Sequence, residues 1–146
     1  MHSRILTRYQ LWRLTRAQAL VEMALILPLL LLLILGAVDF GRLFMTKFIL
    51  TNAAREGANY IAYYFDKDNI AASQEAAKPV ILAEGNSSGI TIDPGKITFT
   101  GCCTAGQPVS VTVAHDVDLI FDGFLSTMGV IDLPVTISST VTMVVQ

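Results

Sequence analysis

The sequence has few charged residues and few of the side chains on which catalysis most often depends. Charged residues make up 15% of the 146 residues, against about 25% in an average soluble domain. There are two histidines, and the sequence contains neither a Gly-rich phosphate loop nor a His-Glu-x-x-His motif. These absences argue against an enzyme, and we predict a protein without catalytic residues or a cofactor.

The acidic residues that stand closest together do not form a recognisable metal site. Asp116, Asp118 and Asp122 are near neighbours in the sequence. They lack the glycine turn and the terminal glutamate of an EF-hand calcium loop. We therefore predict that they are solvated acids at a strand end and in the following loop, and we predict no metal site.

The chain does contain one long apolar run near its N-terminus. Residues 23–38 include no charged residue, and in the longer stretch 17–38 the single charge is Glu22. A helix of this length measures roughly 33 Å, which is enough to cross the hydrocarbon core of a bilayer. The run therefore predicts one transmembrane helix with a carboxylate close to its start.

Charges on either side of the run differ in sign. The first 16 residues hold four arginines and no acid, whereas residues 43–146 hold five basic and ten acidic residues, a net charge of −5. The positive-inside rule predicts a cytoplasmic N-terminus and an exported, acidic C-terminal part. An acidic part without a basic patch is a poor nucleic-acid binder.

A cleaved signal peptide is disfavoured because Leu35-Gly36-Ala37 has a bulky residue where a small one is needed.

Beyond the apolar run the hydrophobic period changes from helical to alternating. Helical spacing continues to Tyr64, and residues 70–84 predict a second helix. Alternating β-branched residues predict three strands over 96–101, 109–114 and 135–145, the first two paired as an antiparallel hairpin. We expect 85–89 to be a loop and 119–129 an irregular connection. The fold class is thus α+β, with a long N-terminal transmembrane helix, a second helix and a three- to four-stranded antiparallel sheet.

The order and spacing of four motifs resemble a known family. They are Arg16-Ala-Gln-Ala-Leu-Val-Glu22, the Met-Ala-Leu-Ile-Leu-Pro run after it, Asp39-Phe-Gly-Arg-Leu43, and Thr51-Asn-Ala-Ala-Arg-Glu-Gly-Ala58. This segment is similar to the TadE-like family, which are minor pilins or pseudopilins of tight-adherence (Flp-type IV) pilus systems. The resemblance implies a pilin-like fold and a membrane-anchored structural role in pilus assembly.

A specific processing site follows from the resemblance. A prepilin peptidase would cut between Ala17 and Gln18, which makes Glu22 the fifth residue of the mature chain. The family usually has glycine before the cut, where this sequence has Ala17. The Glu22 carboxylate would pair in the bilayer with the new α-amine of a neighbouring subunit, which offsets the desolvation of both charges. The alternative is that Glu22 is simply solvated near the inner headgroups.

The resemblance and the charge pattern together predict the organisation of the chain. We expect a basic cytoplasmic leader over 1–17, a transmembrane helix over 18–40, an extracytoplasmic helical stalk over 41–64 and an α+β head over 65–146. The predicted location is the cytoplasmic membrane, in a single pass, or a pilus outside the cell. Expected partners are other pilins and minor pilins, the prepilin peptidase, the inner-membrane assembly platform and membrane lipid, but no nucleic acid.

For three features of the helix beyond the span we favour a structural interpretation over a functional one. Asp39 and Arg42 are spaced for an i,i+3 ion pair at the membrane interface. The small residues Ala54, Ala58 and Ala62 permit close packing, either on the chain's own sheet, which we favour, or on a neighbour's helix. The tyrosines near the end of the helix, Tyr60, Tyr63 and Tyr64, are either a contact patch or, as we expect, part of the core.

The two cysteines, Cys102 and Cys103, are adjacent, and the chain has no third. Thiols outside the cytoplasm tend to be oxidised, and neighbouring cysteines can form only a strained vicinal disulfide or bonds to other chains. We rank these possibilities above free thiols, and we rank a metal site with His115 last.

The functional alternative to a minor pilin is a bitopic, membrane-anchored binding module that does not polymerise. A membrane-anchored hydrolase is a third hypothesis, and the missing motifs disfavour it.

Overall fold

The computed structural model describes residues 3–64, 69–101, 105–127, 129 and 135–146. Its helices are α1 (Ser3–Tyr64), α2 (Ile70–Ser87) and α3 (Ile120–Thr127), and its strands are β1 (Ile97–Thr100), β2 (Pro108–Val117) and β3 (Val135–Val144). A short 3₁₀ turn, Pro94–Lys96, precedes β1. The predicted α+β fold with a long N-terminal helix, a second helix and an antiparallel sheet is confirmed. Cys102 and Cys103 lie outside the described residues, so their predicted disulfide stays a prediction.

The chain divides into two compact units, Met1–Val38 and Asp39–Gln146, and the division falls inside α1. The first unit contains the apolar run, whose leucine and isoleucine side chains are exposed except for the partly buried Leu35. The second unit contains the rest of α1 together with α2, α3 and the sheet. The predicted limits of leader, span, stalk and head stay predictions.

The sheet is antiparallel with the order β1-β2-β3. Thr98 lies opposite Thr112 in the β1-β2 hairpin, as predicted, and Thr112 lies opposite Thr140 in β3. One face of β2 is buried through Val109, Val111 and Val113, which alternate with more exposed residues. On the other face, hydroxyls pair across the strands, as in the 2.8 Å hydrogen bond between Thr112 Oγ1 and Thr140 Oγ1. This alternation is the period-2 pattern of a half-buried strand.

The core of the second unit forms where α1 and α2 cover the buried face of the sheet. The side chains of α1 in this core are Leu50, Ala53, Ala54, Ala58 and Ile61, and they pack with Ala77 and Ile81 of α2 and with the valines of β2. At Gly57 a Cβ atom would lie 2.5 Å from Ile81 Cδ1, so glycine is needed for this close approach of the two helices. The prediction that the small residues of α1 pack on the chain's own sheet is confirmed.

Three local predictions are wrong. Residues 85–87 are not a loop but the last turn of α2, because Gly85 is buried against Ile92, where a Cβ atom would not fit. Residues 120–127 are not irregular but form α3. Tyr63 and Tyr64 are 65% and 72% exposed rather than in the core, since they lie outside the face of α1 that covers the sheet.

Candidate functional site

The predicted processing site lies in the first unit, on α1. The backbone of Ala17, Gln18 and Glu22 is helical, and the helix continues without a break on both sides. Gln18 and Glu22 are four residues apart, so they occupy one face of the helix a single turn from each other. Both are exposed. The Glu22 side chain is therefore available to a group outside this chain.

The apolar run that follows Glu22 is suited to a lipid environment. Leu25, Leu29 and Leu33 are 73%, 62% and 64% exposed within the chain. Among the described residues, one helical segment is long and apolar enough to cross a membrane, and it is the part Gln18–Tyr64 of α1. Transfer of such side chains from water to an apolar environment is favourable by about 25 cal/mol for each Å² of apolar surface. The first unit is thus consistent with a single-pass membrane anchor.

Asp39 begins the second unit and joins two elements that are far apart in sequence. Its side chain is buried, with 5% of its surface exposed. Its Oδ1 accepts a hydrogen bond from the Ile120 backbone N–H at 3.0 Å, and its Oδ2 accepts one from the Phe121 N–H at 2.7 Å. The first amides of a helix lack partners within the helix. Asp39 therefore caps α3 from α1.

The predicted ion pair of Asp39 is present but is the weaker of its interactions. Arg42 Nη1 lies 3.8 Å from Asp39 Oδ1, and the arginine side chain is 48% exposed. A pair at that distance with one partner in solvent contributes little stability. The two short bonds to α3 were not predicted, because nothing in the local sequence of residues 39–42 points to a partner more than eighty residues later.

Comparison with known families identifies part of the chain. A family model described as TadE-like protein matches residues 17–59. Residues 17–59 are a TadE-like segment. No curated protein and no solved structure matches the chain. The family match confirms the resemblance drawn from the motifs, and a TadE-like domain points to a protein associated with tight-adherence (Tad) pili.

The TadE-like segment extends over both units. Its first half contains Ala17, Gln18 and Glu22 with the apolar run, and its second half contains Asp39 and the part of α1 that packs on the sheet. Asp39 thus lies inside the matched segment, whereas α3, which it caps, lies outside it. The match ends at Asn59, one turn before the end of α1.

A Gly-x-Ser-x-Gly pattern, which many hydrolases have at their nucleophile, occurs outside the TadE-like segment at residues 85–89. In a hydrolase this pattern forms a sharp turn from a strand to a helix, which exposes the serine. Here Ser87 ends α2, and its hydroxyl donates a 2.8 Å hydrogen bond to the Glu84 carbonyl oxygen. The pattern therefore has no nucleophile geometry in this fold.

An open groove of about 490 Å³ lies in the second unit. Its walls include Arg42 and Met45 of α1 together with His115 and Asp118 at the end of β2 and after it. The groove thus presents both signs of charge. Within the described residues no group of three or more His, Cys, Asp or Glu is placed to hold a metal ion.

Asp116, one of the three neighbouring acids, stabilises the sheet edge. Its carboxylate accepts hydrogen bonds from Lys96 Nζ and, at 2.7 Å, from Thr136 Oγ1 on β3. These two hydrogen bonds, the one from Lys96 foremost, lower the pKa of Asp116 below its usual value of 3.8. The prediction that Asp116 is an acid at a strand end therefore needs refinement, since it bridges β3 and the 3₁₀ turn before β1.

The lowered pKa of Asp116 predicts a pH dependence of stability. A group with a depressed pKa in the folded state stabilises that state above its unfolded pKa, and the contribution is lost as pH falls through the folded pKa. We expect Asp116→Asn to make the urea midpoint of the full chain less sensitive to pH below about 4. Asp118→Asn, which leaves the Lys96 and Thr136 contacts intact, is the control. Equal pH profiles for Asp116→Asn and the wild type would contradict the assignment.

Proposed function

We propose that the chain is a minor pilin, or pseudopilin, of a tight-adherence pilus. In this role it is a membrane-anchored structural component that contributes to pilus assembly and has no enzymatic activity. The N-terminus lies in the cytoplasm, and the unit Asp39–Gln146 lies outside the cytoplasmic membrane. A prepilin peptidase removes the leader between Ala17 and Gln18.

One observation supports this proposal above the others. The TadE-like match begins at Ala17, the residue before the proposed cut, and it contains Glu22 as the fifth residue after that cut. The four arginines of the leader stand outside the match, on the side that the positive-inside rule keeps in the cytoplasm. The matched segment therefore starts one residue before the proposed mature N-terminus.

Each expected partner contacts a different part of the chain. The prepilin peptidase acts at Ala17 and Gln18. Other pilins and minor pilins pair with Glu22 and with the N-terminus of the processed chain. The apolar run contacts lipid before assembly, and the inner-membrane assembly platform takes up the inserted chain.

Mapping of the mature N-terminus by mass spectrometry tests the proposal. In cells that contain the pilus system, we expect the mature chain to begin at Gln18. Ala17→Gly is expected to give the same start, because glycine is the usual residue there, and Ala17→Leu is expected to keep the leader. A wild-type chain that retains its leader would instead favour the bitopic binding module, for which the leader is part of a permanent anchor.

A further inference from the structure

Three phenylalanines form an exposed stripe on α1 within the second unit. Phe40, Phe44 and Phe48 are spaced by four residues and so lie on one face of the helix. They are 71%, 69% and 60% exposed. We call these three residues the phenylalanine stripe. A water-exposed domain does not usually leave three large aromatic side chains together on its surface, so the stripe needs an occupant.

The charged residues among these phenylalanines each have a partner within the second unit. Asp39 is buried and bonded to the first amides of α3. Lys47 donates its Nζ proton to the carbonyl oxygen of Ser138 in β3. Arg42 is half-exposed and lies 3.8 Å from Asp39. The charges nearest the phenylalanine stripe are therefore already partnered within the second unit, although Arg42 and Lys47 stay exposed.

The same face of α1 becomes charged further along. Arg55 is exposed, and it follows Phe44 by eleven residues, which is about three helical turns. Glu56, beside it, is also exposed. The change from an apolar to a charged exposed surface thus falls between Phe48 and Arg55. A face that pointed into water along its whole length would not show this division.

The length of the apolar surface along α1 matches a bilayer with its headgroup layers. Large exposed hydrophobic side chains recur from Leu20 to Phe48. These 29 residues measure about 43 Å as a helix, against about 30 Å for the hydrocarbon core and about 40–45 Å with the polar layers. A hydrocarbon core of about 30 Å takes roughly 20 residues of helix, so a core that begins at Met23 ends near Arg42. Phe40 then lies at its outer edge, and Phe44 and Phe48 lie in the headgroup layer beyond it. Phenylalanine is common on the lipid face of interfacial helices.

We propose that the phenylalanine stripe is a lipid-contact surface in the outer interface of the membrane. This proposal rests on the membrane anchoring that is part of the proposed function. The stripe extends the lipid contact of the apolar run by two turns and holds the acidic second unit at the membrane surface. Lipid is the occupant that continuity favours, because the exposed side chains directly before the stripe in α1 belong to the apolar run itself. A second copy of this chain is the other occupant that the experiment must distinguish.

Site-specific tryptophan fluorescence in the full chain tests this proposal. Trp12→Phe removes the single native tryptophan, and one tryptophan is then introduced by Phe44→Trp, by Arg55→Trp or by Leu30→Trp. The chains are reconstituted in phosphatidylethanolamine–phosphatidylglycerol vesicles. Quenching is measured with a phospholipid that has a nitroxide on its headgroup and with acrylamide in the water. Arg55→Trp is the matched control on the same face, and Leu30→Trp reports whether the apolar run is in the bilayer.

The expected result is that the lipid nitroxide quenches Phe44→Trp about threefold more than Arg55→Trp, and that acrylamide shows the opposite order. If Phe44→Trp and Arg55→Trp behave alike while Leu30→Trp is shielded from acrylamide, the anchor stands and the lipid-contact surface is overturned. If Leu30→Trp is open to acrylamide, both the anchor and the surface are overturned. Shielding of Phe44→Trp that vanishes when protein is diluted in lipid identifies a second copy as the occupant and also overturns the proposal.

Discussion

The Glu22→Ala variant is expected to insert into the membrane as the wild type does and to enter pili at least about tenfold less well. Removal of the carboxylate lowers the cost of insertion, because an ionised acid costs about 2.5–3.5 kcal/mol at mid-helix and less near the interface, where Glu22 begins the run. In the proposed assembly, however, the α-amine of Gln18 would then enter the filament without a partner. A buried charge that loses its partner is costly, so assembly and not insertion should fail.

Two control variants separate this mechanism from a general effect of the substitution. Glu22→Gln keeps the size and polarity of the side chain but not its charge, and we expect it to assemble poorly as well. Glu56→Ala removes an exposed acid of the second unit and is expected to assemble normally. The measurement is the amount of chain in sheared pili relative to the amount in the membrane fraction.

The alternative interpretation of Glu22 gives the opposite outcome. If its carboxylate is only solvated near the inner headgroups, Glu22→Ala and Glu56→Ala should reach sheared pili in equal amounts. That result would reject the charge pairing while leaving the membrane anchor untouched. It would also leave the Gln18 start open to separate measurement, because cleavage does not require the pairing.

Features of the fold that depend on local sequence were predictable. A charge-free run of 16 residues can satisfy its backbone in lipid only as a helix. Strands β2 and β3 were recognisable because side chains of alternate type meet the two faces of a sheet. The processing site stays a prediction, and it depends on the order of Ala17, Gln18 and Glu22 along one helix and not on distant contacts.

Features that depend on distant contacts were not predictable. Gly85 has the composition of a loop, yet it stays in α2 because the absent side chain lets Ile92 pack against the helix. Residues 119–129 have no clear period, and Leu119 in front of α3 offers no polar side chain to cap it. The cap comes from Asp39, and the sequence around Asp39 suggests only its neighbour Arg42. Tertiary context decides both cases, as it often overrides local propensity.

The Asp39→Ala variant is expected to unfold α3 selectively. An eight-residue helix is too short to be stable alone in water. It depends on packing and on the two hydrogen bonds from Asp39. Their loss should lower the local opening free energy of α3 by about 2 kcal/mol, since each is a charge-assisted bond to a helix-start amide. We therefore expect the amides of residues 120–127 to exchange with solvent roughly 30-fold faster.

Hydrogen exchange measured by mass spectrometry on the full chain in vesicles distinguishes local from global unfolding. Peptides from β2 should exchange at the wild-type rate, because the core around Val111 does not include Asp39. Arg42→Ala, which removes only the 3.8 Å pair, is expected to change exchange in α3 far less. Asp93→Ala is a second control, since Asp93 caps the exposed 3₁₀ turn through a 2.8 Å bond from the Gly95 N–H.

A compensating substitution makes the test of the cap specific. In the double variant Asp39→Ala, Leu119→Asp, the new carboxylate stands at the N-cap position of α3, where an acid can accept a bond from an amide of the first turn. Exchange in residues 120–127 should then be slower than in Asp39→Ala alone. If the single variant leaves this exchange unchanged, Asp39 does not hold α3. If Asp39→Ala speeds exchange in residues 120–127 and the added Leu119→Asp does not slow it again, Asp39 does not act as a cap. It then acts through its packing or its charge on α1.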